Sequence, residues 1–331
     1  MLRTCLALSV ALKKPVHIFN IRAKRPKPGL RPQHLTCVKA AQFISGAEVK
    51  GAFIGSKELF FTPGETKAGN YAFDIGTAGS TMLVLQTVLL PLALCQAPSH
   101  IRLTGGTHVP WSPHFHYIQK VFLPACTNAG IDFSMKLERW GWYPKGGGKV
   151  LVDIAPWKDR KSFSFDSKFA KNKLAIKAMS AISRLPTHVL RRQADQLKRS
   201  FKEKEMEVEV EEVIAKASCP GSLVFCWTAQ EGCYAGFTGL GSKGKPAEKV
   251  ADEAAAGMLS FLHSRANVDF RLADQLVTVA ALCGRSSTWL TQKLTGHLET
   301  NCWVAEQFGT GKFTFFDEDG AVRVVYDCRM D

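Results

Sequence analysis

Three consecutive glycines follow an aromatic and proline-containing turn near the middle of the chain, where residues 139–150 read RWGWYPKGGGKV. Because glycine has no Cβ, such a run lets the backbone approach another backbone or a phosphate group and adopt positive φ angles. Pro144 fixes the direction in which the chain enters the turn, and a strand is predicted at residues 149–154. The run alone is compatible with a tight hairpin or with a loop that binds phosphate.

Strands and helices interleave through the first half of the chain. Hydrophobic periodicity predicts strands at 16–21, 49–54, 58–62 and 70–75 and helices at 33–45, 79–95 and 113–129. This alternation predicts repeated units of a sheet with helices, in an α/β or α+β architecture.

A second block of elements interrupts this pattern. It contains a strand at 174–182, a basic helix at 186–204, strands at 206–214, 222–228 and 233–238 and a helix at 246–265. We predict that residues 167–264 form an inserted small α/β domain, and that residues 1–166 and 265–331 form a discontinuous large domain. Helices at 273–283 and 300–308 and strands at 313–316 and 322–326 are predicted to complete the large domain.

The glycine-rich segment resembles the signature Gly-x-x-Pro-x-Gly-Gly-Gly-x-aliphatic of the RNA 3′-terminal phosphate cyclase family, although Trp140 stands where that family usually has a basic residue. Five further segments resemble the family in the same order along the chain. They are residues 21–36, 76–88, 105–113, 273–276 and 297–301. The resemblance implies repeated sheet-plus-two-helix units similar to those of enolpyruvyl transferases, with a smaller inserted domain.

The resemblance also implies ATP-dependent conversion of an RNA 3′-phosphate into a 2′,3′-cyclic phosphodiester, a ligase-class reaction. A histidine would accept AMP from ATP and pass it to the RNA phosphate, after which the 2′-hydroxyl closes the ring and releases AMP. His297 matches this nucleophile, and a neutral imidazole can form a labile phosphoramidate. Local sequence alone favours the alternative that His297 merely caps a helix that begins near Thr300.

Several polar residues match positions that line the nucleotide site of relatives. Asp274 and Gln275 match a pair placed against the ATP nucleoside, where a carboxylate accepts ribose hydroxyl bonds; helix-start electrostatics is the alternative for Asp274. Arg271 stands where an aromatic ring is common, so a cation or guanidinium stacking is expected instead. Gln86 and Pro113 match further positions, and Gln86 in an apolar helix requires a hydrogen-bond partner.

Positive charge is concentrated at the N-terminal end. The chain has 43 Lys and Arg against 29 Asp and Glu, a net charge of +14, and no acid precedes Glu48. This charge favours a polyanionic partner, which the resemblance implies is RNA with a 3′-terminal phosphate; a solvated basic face and a transit peptide are alternatives. The candidates for holding ATP phosphates or the RNA terminus are Arg3, Arg22, Arg25, Arg31 and Gln33.

Other features of the composition limit the cellular compartment and the metal sites that we expect. The longest apolar stretch, residues 82–95, is too short to cross a bilayer and is predicted to be a buried helix, with no membrane association. Ten cysteines without a Cys-x-x-Cys pair predict reduced thiols in a cytoplasmic protein. His108, His114 and His116 lack a carboxylate or cysteine partner at ligand spacing and do not predict a metal site.

The expected cofactors are ATP and a divalent ion, magnesium or manganese. Relatives carry a Glu-Gly-Gly-Gly-Gln loop, which is expected to help hold this ion, before the segment that matches residues 1–9. We therefore expect an N-terminally incomplete large domain, with metal ligands and oligomeric state unassigned. The alternative function is a catalytically silent, cyclase-like protein that binds RNA or assists ribosome assembly, although that branch lacks the nucleophilic histidine.

Overall fold

Helices and strands alternate through the chain, of which the computed structural model describes residues 1–166, 174–230 and 232–328. The mixture confirms the predicted α+β class. The helices are α1 (Leu2–Leu12), α2 (Pro32–Ser45), α3 (Thr81–Ala93), α4 (Phe115–Tyr117), α5 (Leu123–Asn128), α6 (Thr187–Lys202), α7 (Ala247–His263), α8 (Phe270–Cys283) and α9 (Gly296–Gln307). A π-helical stretch, Ile118–Phe122, joins α4 to α5.

Within the described residues, the strands form four sheets with the orders β1-β3-β2, β4-β5-β7-β6, β10-β9-β11-β12 and β14-β15-β13-β8. The strands are β1 (Val16–Ile18), β2 (Glu48–Lys50), β3 (Leu59–Thr62), β4 (Asn70–Asp74), β5 (Ser99–Gly105), β6 (Phe133–Arg139), β7 (Gly148–Ile154), β8 (Ser164–Phe165), β9 (Lys177–Ser183), β10 (Glu209–Ile214), β11 (Gly221–Gln230), β12 (Cys233–Leu240), β13 (Ser287–Thr291), β14 (Gly311–Glu318) and β15 (Ala321–Cys328).

Two of these sheets share one topology. In one, β4 pairs parallel with β5, and β7 pairs antiparallel with both β5 and β6. In the other, β8 pairs parallel with β13, and β15 pairs antiparallel with both β13 and β14. Each unit therefore runs strand, helix, strand, helix, strand, strand. Sheet β1-β3-β2, together with α1 and α2, matches the part of this unit that contains its last three strands. The similarity to enolpyruvyl transferases stays a prediction.

The block between β8 and α8 has the predicted order strand, helix, strand, strand, strand, helix. Its helices α6 and α7 cover one face of sheet β10-β9-β11-β12, where Phe201, Phe237 and Met258 form a separate apolar cluster. The other face packs Leu223 and Phe225 into the main core. The predicted boundary at residue 167 lies outside the described residues, and the domain limits stay a prediction.

Helices from different units meet at the centre of the molecule. α1 packs against α2, α3, α8 and α9, and it begins without a side-chain cap, so the sequence carries no start signal for it. The predicted core helix at 79–95 is confirmed by α3, which is buried along most of its length. No helix of the described ranges is long and apolar enough to cross a membrane.

Some strand limits differ from those predicted. The strand expected at 49–54 ends at Lys50, because Gly51 has a φ of +86° and a Cβ there would lie 2.2 Å from the carbonyl oxygen of Glu58. β13 was missed because its parallel partner β8 lies on the far side of the inserted block, so local sequence gives no sign of the pairing.

Candidate active site

A buried carboxylate fixes the start of α8. Asp269 Oδ1 accepts hydrogen bonds from the backbone N–H groups of Arg271 (2.8 Å) and Leu272 (3.0 Å). The same carboxylate accepts the Tyr117 hydroxyl at 3.0 Å and the Gly236 N–H at 2.9 Å. Burial raises the pKa of Asp269, and the N–H donors oppose that rise. Because of this cap, α8 begins earlier than predicted, and Asp274 lies in its second turn.

Predicted nucleotide-site residues from three helices meet in one pocket. α8 contributes Asp274 and Gln275, α3 contributes Gln86, and α1 contributes Arg3. Gln86 Nε2 donates to Gln275 Oε1 at 2.6 Å, which is the partner that its place in an apolar helix requires. The structure thus brings together four of the residues predicted from separate motifs.

Thr4 and Asn301 also line this pocket and were not predicted as part of the site. Thr4 Oγ1 donates to Asn301 Oδ1 at 2.8 Å, and Asn301 Nδ2 donates to the Asp274 carbonyl at 3.2 Å. These bonds hold α9 against α1 and α8. Asn301 follows His297 by four residues, one turn of helix, and that spacing within a recognised motif is the signal that would have identified it.

The carboxyl group of Asp274 titrates near neutral pH. Burial raises its pKa to about 7, and the positive charge of Arg3 opposes this rise. Protonated and ionised forms therefore coexist at neutral pH. The ionised form accepts two or more hydrogen bonds, whereas the protonated form also donates one, so the proton on Asp274 decides whether this side chain can act as a donor.

His297 lies in the first turn of α9, not before it. The helix begins at Gly296 rather than near Thr300, and its cap is Thr295, whose Oγ1 accepts the Leu298 N–H at 3.1 Å. The alternative that His297 merely caps this helix is therefore wrong. Partial burial lowers the pKa of His297, with smaller contributions from positive charges that include those of Arg3 and Arg25, and the exposed imidazole is neutral at pH 7.

The predicted N-terminal cations are grouped around His34. Burial lowers the pKa of His34 to about 4, assisted by the positive charges of Arg22, Arg3 and Arg31. Arg22 Nη1 also donates to two carbonyl groups within its own loop, at 2.6 and 3.2 Å. In the described part of the chain, Arg3, Arg22, Arg25 and Arg31 form no ion pair with a carboxylate. Their charge is therefore available to an anion.

Gln33 connects two predicted segments. Its side-chain oxygen accepts the backbone N–H of Ser80 at 2.9 Å, so the start of α2 is tied to the glycine loop at residues 76–80. This bond gives Gln33 a structural contact, while its predicted contact with phosphate stays a prediction.

The glycine-rich loop is both a hairpin connection and a packing surface. It joins the antiparallel strands β6 and β7, as the simple hairpin interpretation predicted. Gly146 has a φ of +64°, and a Cβ there would lie 2.7 Å from the Ala78 Cα. At Gly141 a Cβ would lie 2.3 Å from the Gly105 carbonyl oxygen. The three glycine-containing loops therefore meet backbone to backbone.

Arg271 and Pro113 are placed differently from the four pocket residues. Arg271 lines a second cleft of about 380 Å³, where its guanidinium carbon lies 4.6 Å from the Phe270 ring centroid and Lys293 Nζ lies 4.5 Å from it. This cation–π contact of Arg271 is made with the neighbouring ring of its own helix. Pro113 is partly buried next to His114, the residue before α4. Their contacts with a nucleotide stay predictions.

Three buried histidines form a cluster beside the glycine-rich loop. One ring nitrogen from each of His108, His114 and His116 lies within 4.8 Å of the others. Thr107 Oγ1 accepts the Gly141 N–H and is also hydrogen-bonded to His108 Nδ1 at 2.8 Å. His108 Nε2 is hydrogen-bonded to His116 Nδ1, also at 2.8 Å. Both ring nitrogens of His108 therefore have a partner within the protein.

The third histidine of the cluster is bonded through both ring nitrogens. His114 Nδ1 accepts the Tyr117 N–H at 3.2 Å, and Nε2–H donates to Thr238 Oγ1 at 2.9 Å. Burial lowers the pKa of all three histidines, to about 3 for His116. The neutral cluster is explained by these bonds and by stacking on Trp140; the expectation of no metal site there stays a prediction.

The sequence matches a family model described as RNA 3′-terminal phosphate cyclase over residues 1–315. It is also similar to curated proteins with the name RNA 3′-terminal phosphate cyclase. The protein from Methylococcus capsulatus is 39% identical over 318 residues, which cover 94% of this chain and 88% of that protein. The proteins from Pyrococcus furiosus and Pyrococcus abyssi are 41% and 42% identical, and the matches cover 98% and 97% of this chain and 94% and 92% of those proteins.

Proposed function

The chain belongs to the RNA 3′-terminal phosphate cyclase family, and from that premise we propose that it converts an RNA 3′-phosphate into a 2′,3′-cyclic phosphodiester at the expense of ATP. The observation that carries the proposal is the position of His297. It is an exposed, neutral imidazole in the field of Arg3 and Arg25, and Arg3 also lines the pocket that contains Asp274.

In the first step, His297 attacks the α-phosphorus of ATP. A phosphorus–nitrogen bond forms, the bond to the bridging oxygen breaks, and pyrophosphate leaves. Arg3 and Arg25 stabilise the charge that develops on the phosphate oxygens, while Asp274 accepts hydrogen bonds from the ribose. A divalent ion on the ATP phosphates would supply further neutralisation, and Asp274 is the one carboxylate among the described residues that line this pocket.

In the second step, an oxygen of the RNA 3′-phosphate attacks the adenylated histidine. The phosphorus–nitrogen bond breaks, and a phosphoanhydride joins AMP to the RNA. The 2′-hydroxyl then attacks the 3′-phosphorus, its proton leaves, and AMP departs as the ring closes. Positioning and charge neutralisation supply most of the rate for such transfers. The ten cysteines, none of which forms a disulfide within the described residues, fit a reducing compartment such as the cytoplasm.

The test is to incubate the protein with α-labelled ATP and magnesium or manganese, with and without 3′-phosphorylated RNA. We expect label on the wild type that RNA discharges as the cyclic end forms, and no label on His297→Ala. The matched control is His188→Ala, which removes another exposed histidine on α6. Label on His297→Ala would overturn the mechanism, and RNA binding without label or cyclisation would support the silent RNA-binding alternative.

A further inference from the structure

We propose that the outer face of sheet β1-β3-β2 binds the single-stranded RNA that precedes the 3′ end. The surface consists of His17, Phe19 and Phe60, here called the aromatic platform. The proposal rests on the proposed function, because it assigns a place to the remainder of the RNA whose end is cyclised.

The rings of the platform are arranged by the register of two strands. His17 of β1 is the Cα partner of Phe60 in β3, and their rings stack at 4.0 Å with an interplanar angle of 6°. The Phe19 ring lies 5.5 Å from His17. Leu59 and Phe61, the neighbours of Phe60, point the other way and are buried, so the alternation of β3 presents Phe60 to solvent.

These rings are unusually open to solvent. Phe19 is 64% exposed and Phe60 is 42% exposed. Single exposed apolar side chains are common on protein surfaces, but rings in mutual contact on the outer face of a sheet form a patch, and such patches mark binding surfaces. An aromatic face stacks with any nucleic acid base.

Cations lie beside the platform and beyond its end. Lys50 of β2 is the Cα partner of Phe60, so it lies beside that ring on the same face. After Phe19 the chain continues into the basic loop, residues 22–31, which contains the exposed Lys24 and Arg25. The Glu58 carboxylate on this face is bonded to His17 Nε2 at 2.7 Å, which orients that ring.

The basic loop connects the platform to the proposed nucleophile. Backbone bonds from Ile21 N–H to Lys57 (3.0 Å) and from Leu30 N–H to Ser56 (2.9 Å) hold the loop against the segment that leads into β3. The charge of Arg25, within this loop, also acts on the imidazole of His297. An RNA strand whose end lies at His297 can therefore follow the loop to the platform.

These features favour a single strand as the occupant. Proteins bind single strands through cations that track the backbone and aromatic rings that stack on successive bases. In a duplex the bases are already paired and stacked, and their faces are closed to protein rings. The platform therefore fits unpaired RNA of any sequence, with little base preference.

The experiment compares a 3′-phosphorylated RNA of about ten nucleotides with a 3′-phosphorylated dinucleotide. In the double variant Phe19→Ala, Phe60→Ala we expect the KM and the Kd for the longer RNA to rise about tenfold per lost stack. The values for the dinucleotide, which is too short to reach the platform, should stay as in wild type. A variant with Phe60→Tyr, which keeps an aromatic ring at this position, should bind the longer RNA with the wild-type Kd.

Phe316→Ala is the matched control, because it removes an exposed phenyl ring from β14 in another sheet. Labelling of His297 by ATP alone reports whether each variant is folded. Equal effects on both RNAs, or no effect on the longer one, would overturn the platform. If wild type cyclises neither RNA, the proposed function fails, and the Kd measured by fluorescence anisotropy still decides the platform.

Discussion

Asp274 is the residue whose ionisation changes within the working pH range, since burial raises its pKa to about 7. If ribose hydroxyls donate to the ionised carboxylate, ATP affinity should rise about tenfold between one pH unit below and one above this pKa. Asp274→Asn should remove that pH dependence. Calorimetric titration with ATP measures both proteins, with His188→Asn as the control. An unchanged pH profile in Asp274→Asn would contradict the role.

His116 makes stability depend on pH in the acid range. Burial lowers its pKa to about 3, against about 6.5 in an unfolded chain. Below pH 6.5 the unfolded chain therefore binds a proton at this histidine, whereas the folded protein does not. The contribution of His116 to the free energy of unfolding is unchanged above that pH. It falls by about 1.4 kcal/mol per pH unit as the pH is lowered towards 3.

His116→Asn keeps a hydrogen-bonding side chain next to His108 Nε2 but cannot titrate. Urea unfolding between pH 7 and 5 should show a shallower loss of stability for His116→Asn than for wild type, by about 1.4 kcal/mol per pH unit. His188→Asn, at an exposed position on α6, should unfold with the wild-type slope. Equal slopes for wild type and His116→Asn would show that His116 is protonated in the folded protein.

At the scale of elements, the glycines of the loop between β6 and β7 are required for different physical reasons. A Cβ at Gly148 would lie 2.6 Å from the Gly141 nitrogen, whereas at Gly147, with a φ of +68°, the nearest atoms lie 3.7 Å away. Gly147→Ala should cost about 1–2 kcal/mol of unfolding free energy through backbone strain alone. Gly148→Ala should cost about 3 kcal/mol through overpacking. Thermal and urea unfolding measure both, and the reverse order would contradict the packing argument.

Elements with strong periodicity were predictable, and contacts between elements were not. The core helix α3 and the need of Gln86 for a partner followed from the sequence, but the partner, Gln275, lies on α8. Asp269 was missed because its donors come from α8, Tyr117 and Gly236 together. Motif order indicated which residues line the pocket of Asp274 and Gln86, whereas the second cleft around Arg271 depends on tertiary packing.

At the scale of the whole molecule, the net charge of +14 makes RNA affinity depend on salt. For single strands, the logarithm of affinity falls with the logarithm of salt concentration by about 0.7 for each neutralised phosphate. The double variant Lys24→Gln, Arg25→Gln should therefore reduce this slope by about 1.4. Lys198→Gln, Arg199→Gln on α6 removes two exposed cations elsewhere. If Lys198→Gln, Arg199→Gln reduced the salt slope by the same amount, the RNA would instead lie on the inserted block.

Sheet β10-β9-β11-β12 limits how the molecule can be divided. One of its faces carries α6 and α7, and the other buries Phe225 against His114. If the inserted block were expressed alone, this second face, which also contains Leu223 and Met179, would be apolar and exposed to water. Such a fragment would precipitate or self-associate, so residues of this sheet need the rest of the chain to stay in solution.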